Sequence, residues 1–382
     1  MKITSDIKYV GVNDHEIDLF EGQYPVPNGM AYNSYVILDE KVAVLDTVEK
    51  KYADTWLKNI ENIIGEKEPS FLVIHHMEPD HSSNINEFME KYKNAKIVAS
   101  EKAFLMMKQF FGSDYKDRQI IIKENDALPL GKHTLLFKAA PMVHWPEVMV
   151  SYDTYDKALF SSDAFGKFGA LDMDDEWACE ARRYYFGIVG KYGQQVKTLL
   201  SKVSTLDVSM ICPLHGPALT ENLGYYLDLY KTWSSYEIEN DGILISFTSV
   251  YGNTKKAAEL LRDELIGQGK KVILNDLARM DIFEAVEDAF RYGTHVLATT
   301  TYNNEIFPKM REFLEHLKER NYQKRTVAII ENGSWAPSAQ KKIREFFLDF
   351  KEINILDTSV TIKSSLTEEN IKEIKNLSSK LI

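Results

Sequence analysis

The segment His76-Met77-Glu78-Pro79-Asp80-His81 places four metal-binding side chains within six residues. It follows the apolar run Phe71-Leu72-Val73-Ile74, so a strand would deliver a ligand-rich loop at its end, a rigid way to hold a metal. The spacing is H-x-E-x-D-H, and the carboxylate in its second slot argues that the metal need not be zinc. Taken alone, the segment also reads as a polar strand end at the surface. Three later residues shift the balance. His144 follows Ala139-Ala140-Pro141-Met142-Val143 and precedes Trp145-Pro146. Asp163 ends Ala158-Leu159-Phe160-Ser161-Ser162 and precedes Ala164-Phe165-Gly166. His215 lies in Cys212-Pro213-Leu214-His215-Gly216-Pro217. Each is a potential ligand just past an apolar run, in a loop with turn residues.

A second set of loops suits a phosphate and an aromatic ring. The apolar stretch 242–247 runs into Thr248-Ser249-Val250-Tyr251-Gly252-Asn253-Thr254 and then a helical pattern. Short hydroxyls and a glycine before a helix N-terminus turn N–H groups and the helix dipole toward an anion; Ser/Thr-rich junctions also arise simply from capping. Neither G-x-x-x-x-G-K-[ST] nor G-x-G-x-x-G is present, so neither a nucleoside triphosphate nor a dinucleotide is indicated. Thr299-Thr300-Thr301-Tyr302-Asn303-Asn304 and Asn332-Gly333-Ser334-Trp335-Ala336-Pro337 follow later strand patterns, and each carries an aromatic able to stack on a ring.

The elements that must position these residues fall into two halves. In the first, short β-rich runs at 34–38, 42–46, 71–75, 96–99, 133–138, 148–152 and 159–162 alternate with helical patterns at 52–64 and 85–92, which predicts an α/β sandwich of mostly antiparallel sheets. Residues 234–242 read as a short linker. Beyond it, strands at 242–247, 271–275, 295–300 and 326–330 alternate with helices at 254–268, 308–319 and 338–349. That rhythm predicts a doubly wound parallel sheet with its ligand at the strand carboxyl ends.

Composition narrows the classes. An apolar fraction of 44% and 12% aromatics support well-formed cores, and a net charge of −11 argues against a general nucleic-acid or anionic-membrane surface. Cys179 and Cys212 are the only cysteines, which excludes a disulfide framework and a cysteine-ligated iron–sulfur or rubredoxin centre within this chain. No apolar run reaches membrane-spanning length, and a cytoplasmic protein is expected. His75 should point to the opposite strand face from His76, as a supporting or surface histidine; His15, His133, His295 and His316 have no ligand context.

The order H-x-E-x-D-H, then His144, Asp163 and His215, resembles the metallo-β-lactamase fold. The Glu78 form, with His144-Trp145-Pro146 and Ser162-Asp163-Ala164-Phe165-Gly166, resembles the flavodiiron proteins. The segments Asn28-Gly29-Met30-Ala31-Tyr32-Asn33-Ser34-Tyr35, Asp175-Glu176 and Arg183-Tyr184-Tyr185 fit too, and the 248–254 loop is similar to the flavodoxin phosphate loop. Thr301-Tyr302-Asn303 matches the family pattern, whereas the Trp335 loop departs from the commoner Gly-Ser-Tyr-Gly-Trp form.

The resemblance implies an N-terminal metallo-β-lactamase-like αββα sandwich (residues 1–240) and a C-terminal flavodoxin-like FMN domain (241–382). His76, Glu78 and His144 would hold one iron, and Asp80, His81 and His215 the other. Asp163 would bridge them. FMN would lie among Thr248–Thr254, Thr301, Tyr302, Asn303, Asn304, Asn332, Gly333, Ser334, Trp335 and Ala336. Trp145, Tyr184 and Tyr185 are candidate pocket aromatics, core packing being the alternative. The implied activity is reduction of dioxygen to water, nitric oxide to nitrous oxide, or both, fed by a separate rubredoxin-like donor in a head-to-tail homodimer or dimer of dimers. A zinc hydrolase with an accessory flavodoxin-like domain is the competing reading, since ligand type alone leaves zinc open.

Overall fold

The computed structural model describes residues 3–382. The chain forms two compact units, one ending at Ser234 and the other spanning Ser235–Ile382.

The first unit is built on two facing sheets. One contains, in spatial order, β1 (Ile7–Tyr9), β2 (Tyr35–Ile37), β3 (Val42–Leu45), β4 (Pro69–Val73), β5 (Lys96–Ser100) and β6 (Gln119–Ile122). The other contains β7 (Ala127–Pro129), β8 (Thr134–Ala139), β9 (Met149–Asp153), β10 (Ala158–Phe160) and β11 (Met210–Cys212). Period-2 alternation decides what each strand buries. Ala43, Leu45, Phe71 and Val73 enter a core shared with Leu135, Phe137, Met149 and Phe160 of the second sheet. Val44 and Leu72 are equally buried but lie outside that core, as expected of a sheet covered on both faces. Helix Ala53–Ile64 buries Trp56, Ile60 and Ile64, a single stripe at i, i+4, i+8.

The expectation of mostly antiparallel sheets holds for β7 through β10, but not for the first sheet. There β3–β4, β4–β5 and β5–β6 all pair in parallel. The crossover helices between these strands bring each one back in the same direction, which short-range patterning does not report.

In the second unit, β12 (Asn240–Phe247), β13 (Val272–Asp276), β14 (Tyr292–Tyr302), β16 (Arg325–Asn332) and β17 (Ile353–Ile355) form a parallel sheet in the order β13-β12-β14-β16-β17. Short β15 (Glu305–Ile306) pairs antiparallel with β14, and β18 (Val360–Ile362) pairs with the far end of β16. Numbered within the unit, the order is 2-1-3-4-5, the flavodoxin-like arrangement. Differences from the sequence reading include the helix Ile282–Arg291, absent from it, and the bounds of several strands. The first strand begins at Asn240, inside the expected linker, with a register shift before Ile243. The third runs on through Thr301 and Tyr302, placed in a loop by sequence. Thr299 and Thr300 stay paired to Glu331 and Asn332, and Thr301 and Tyr302 pair with Ile306 and Glu305. Consecutive β-branched threonines favour that continuation. The chain then reverses at Asn303 and Asn304, both left-handed (φ 51° and 58°), where asparagine is tolerated.

Candidate functional site

The expected donors all lie at one rim of the first unit's two sheets. β4 ends at Val73, the loop beyond it carries His76 and Glu78, and the short helix Pro79–Ser82 carries Asp80 and His81. His144 lies between β8 and β9, Asp163 follows β10 and His215 follows β11. The sheets are tied together at this rim by Met149 N–H donating to His75 O at 3.0 Å.

The side chains converge in two groups: His76, Glu78, His144 and Asp163; and Asp80, His81 and His215. In the first, Glu78 Oε2 lies 3.2 Å from His76 Nε2 and 3.0 Å from His144 Nε2. In the second, His81 Nε2 and His215 Nε2 face each other at 3.0 Å, and Asp80 Oδ2 lies 3.3 and 3.4 Å from them. Asp163 spans both. Its Oδ2 is 3.2 Å from His76 Nε2 and 3.3 Å from His144 Nε2, while its Oδ1 is 3.4 Å from His81 Nε2 and 3.7 Å from His215 Nε2.

Backbone and side-chain bonds behind the donors fix their aim. His215 Nδ1 donates to the carbonyl of Ala31 at 2.7 Å, which leaves the Nε2 lone pair for the centre. Its loop is held by Asn33, whose Nδ2 donates to Pro213 O (2.8 Å) and Gly216 O (2.7 Å), and by Tyr35, whose hydroxyl donates to Pro213 O. His76 Nδ1 donates to Glu147 Oε1 at 2.8 Å. His75 turns away from the centre and is buried, its ring between Asp46 (2.6 Å) and Ser151 (2.7 Å).

Electrostatics and packing both suit a cation. The Asp163 and Asp80 carboxylate oxygens are buried without hydrogen-bond partners among the described residues. Burial would raise the Asp163 carboxyl, but the imidazoles of His76, His144 and His81 outweigh it and hold it well below the usual carboxylate range. Burial, with the charges of Glu78 and Asp163, pushes Asp80 up to about 7. Burial lowers His215 below the ordinary imidazole value. Facing imidazole nitrogens and orphaned carboxylate oxygens fit two metal ions sharing Asp163, and a mixed set of four imidazoles and three carboxylates suits iron as well as zinc. A cavity of about 400 Å³, lined in part by Phe20, Glu21, Tyr32 and Lys51, opens onto Glu78 and Asp80.

Of the candidate aromatics, Trp145 packs edge-on against His76, and Tyr184 lies against His215. Tyr185 packs instead on Phe186, Tyr230 and Trp233. Phe20, not singled out by sequence, stands edge-on to His215. Asp6, His133 and Asp156 also come together. There Lys132 pairs with Asp6, and the His133 ring nitrogens already face Asp153 and Asp6, so ion pairing accounts for the group.

In the second unit a cavity of about 540 Å³ lies at the strand carboxyl ends. Its lining takes in Ser249, Val250, Tyr251, Asn253, Thr254, Thr301, Tyr302, Asn303, Asn304, Asn332, Gly333, Ser334, Trp335 and Ala336, and adds Thr300 and Ser364. Thr248 is buried beside it, bonded to Thr299 at 2.7 Å, and Gly252 (φ 89°) sets the turn into helix Asn253–Gly267. Ser364 was invisible in the sequence because β18 aligns beside β16 only in the fold. None of the described lining residues carries a charge. Tyr251 and Trp335 are 93% and 92% exposed, so two large rings stand uncovered at its rim. Volume, neutral donors and free aromatic faces fit a planar cofactor with a phosphate.

Two adjoining groups of metal-binding side chains on a metallo-β-lactamase-like unit, followed by a flavodoxin-like unit, define the class. Residues 30–216 match the family described as ODP family beta lactamase. The anaerobic nitric oxide reductase flavorubredoxin of Vibrio vulnificus is 27% identical over 377 residues, covering 95% of this chain and 75% of that protein. Two solved structures are similar throughout, each 25% identical and covering 100% of this chain and 97% of the other. They are the flavodiiron protein from Giardia intestinalis (TM-score 0.92) and the rubredoxin oxygen:oxidoreductase from Desulfovibrio gigas (TM-score 0.91). Over its whole length the chain is thus similar to flavodiiron proteins. No helix among the described residues is long and apolar enough to cross a membrane.

Proposed function

We propose that this chain is an oxidoreductase that reduces dioxygen to water, nitric oxide to nitrous oxide, or both, at two iron ions, with FMN in the second unit. One observation carries the reading: Asp163 presents one carboxylate oxygen to each group of donors. His76, Glu78 and His144 would hold one ion, Asp80, His81 and His215 the other. Two ferrous ions would supply two electrons and reduced FMN two more, matching four for dioxygen to water or two for coupling two nitric oxide molecules.

The protein's own part is holding and shielding. The Ala31 carbonyl keeps the His215 Nε2 lone pair on the centre. Trp145, Phe20 and Tyr184 wall the imidazoles with rings, limiting bulk water there. The cavity at Glu78 and Asp80 admits a small substrate. In the second unit, the neutral hydroxyls and the helix N-terminus would bind the FMN phosphate, while Tyr251, Tyr302 and Trp335 offer faces to the ring. A rubredoxin-like donor, a head-to-tail homodimer or dimer of dimers, and a cytoplasmic location complete the proposal. Similarity to a rubredoxin oxygen:oxidoreductase and to a flavorubredoxin supports the donor.

The test is metal and flavin analysis, followed by stopped-flow reoxidation of the anaerobically reduced holoenzyme by each gas. Two irons and one FMN per chain with rapid reoxidation are expected. Zinc with no flavin-dependent oxygen uptake would return the hydrolase, which full-length similarity to reductases disfavours. Reduced FMN that neither gas reoxidises would leave only an electron carrier.

A further inference from the structure

Glu147 closes the loop that begins with His144, and nothing in its sequence setting marks it out. Its side chain is fully buried, and Oε1 accepts from His76 Nδ1 at 2.8 Å and from Met77 N–H at 2.9 Å. Oε2 has no hydrogen-bond partner among the described residues. The Glu147 carbonyl is itself anchored by Ser100 Oγ at 3.0 Å, at the end of β5. Both imidazoles of the second group are supported differently. His215 Nδ1 meets only the neutral Ala31 carbonyl, and His81 Nδ1 is buried without a partner among the described residues.

We infer, on the metal-pair reading above, that Glu147 is a positioning residue that makes His76 the strongest imidazole donor of the site. A buried carboxylate without a nearby cation is costly. A metal ion on His76 Nε2 supplies compensating charge through the ring, because the Nδ1–H bond to Glu147 strengthens as the ring donates. Glu147 and the ion at the His76, Glu78 and His144 position therefore stabilise one another. The position served by His81 and His215 has no such support. The remaining function of Glu147, capping the Met77 N–H, needs no charge.

Glu147→Gln separates these roles. Its amide oxygen still accepts from His76 and Met77, so shape and capping persist while the charge is lost. Expected is unchanged FMN content. Affinity for one iron of the pair should fall about 10–100-fold, the usual effect of removing such a partner, with the other unaffected. The midpoint potential of the affected iron should rise, by about 59 mV for each tenfold loss of preference for its oxidised state. Unchanged affinities and potentials for both irons would overturn the inference, as would equal weakening of both. Chelation of wild-type holoenzyme covers the case in which the variant does not fold. One iron per chain should leave at least tenfold faster than the other, and equal release would overturn the assignment. If wild-type protein binds other than two metals per chain, the metal-pair reading itself fails, which is a separate result.

Discussion

Asn33→Ala tests the link between the 28–35 segment and the His215 loop most directly. Asn33 is fully buried and donates to two carbonyls, Pro213 O at 2.8 Å and Gly216 O at 2.7 Å. The consequences differ. Pro213 O keeps the Tyr35 hydroxyl at 2.7 Å, so its loss is one ordinary hydrogen bond, about 0.5–1.5 kcal/mol. Gly216 O has no other donor among the described residues and is left orphaned, at about 1–3 kcal/mol. The variant should therefore lose about 2–4 kcal/mol in urea denaturation of the metal-free chain, with an unchanged m-value. His215 keeps its bond to Ala31 O but loses the frame around it. One metal per chain should bind more weakly, and the first donor group should keep its own. A loss under about 1 kcal/mol would show that the Gly216 carbonyl finds water. Loss of both metals together would show that the two groups do not depend separately on their loops.

Asp163→Ala removes the shared carboxylate; turnover should be abolished with FMN retained, and activity with both metals still bound would refute the bridging role. Gly252→Val forces a β-branched residue to φ 89°, at about 1–2 kcal/mol or more, and puts bulk into open space beside the phosphate loop. Flavin titration should show weaker FMN binding with unchanged metal content, and unaltered affinity would sink the phosphate-loop assignment. His295 is buried, and burial, then the Arg325 charge, depress it to about 3. The unfolded chain takes up a proton near pH 6.5 that the folded chain refuses, so stability is full above that value and falls as pH drops toward 3. Between pH 6.5 and 5 the second unit should lose about 2 kcal/mol. His295→Asn should flatten that slope; an unchanged pH profile would exclude His295 as its source.

The candidate donors that the fold brings together were legible because each group sits past an apolar run, and a strand end is the one place where burial and a polar loop meet. The same logic located the loops around the second cavity. What stayed hidden depends on partners distant in sequence. Glu147 reads as an ordinary surface glutamate until β4 brings His76 against it. Asn33 belonged to a recognised segment, but its role needs Pro213 and Gly216, 180 and 183 residues away. The parallel half of the first sheet escaped because strand direction is set by crossovers, not by period. The continuation of β14 through Tyr302 escaped because asparagines after a threonine run mark a turn without fixing its start. Tyr184 and Tyr185 are neighbours of one chemistry, and only packing shows that the first faces His215 while the second faces Trp233.

The cavity of the second unit has neutral walls although the chain carries a net charge of −11. An anion held there by dipoles alone has no ion pair for salt to screen, so its retention should be nearly indifferent to ionic strength. The meeting with an electron donor is a different event, governed by the field of the whole surface. Any salt dependence of turnover then reports on that encounter rather than on leakage of the cofactor.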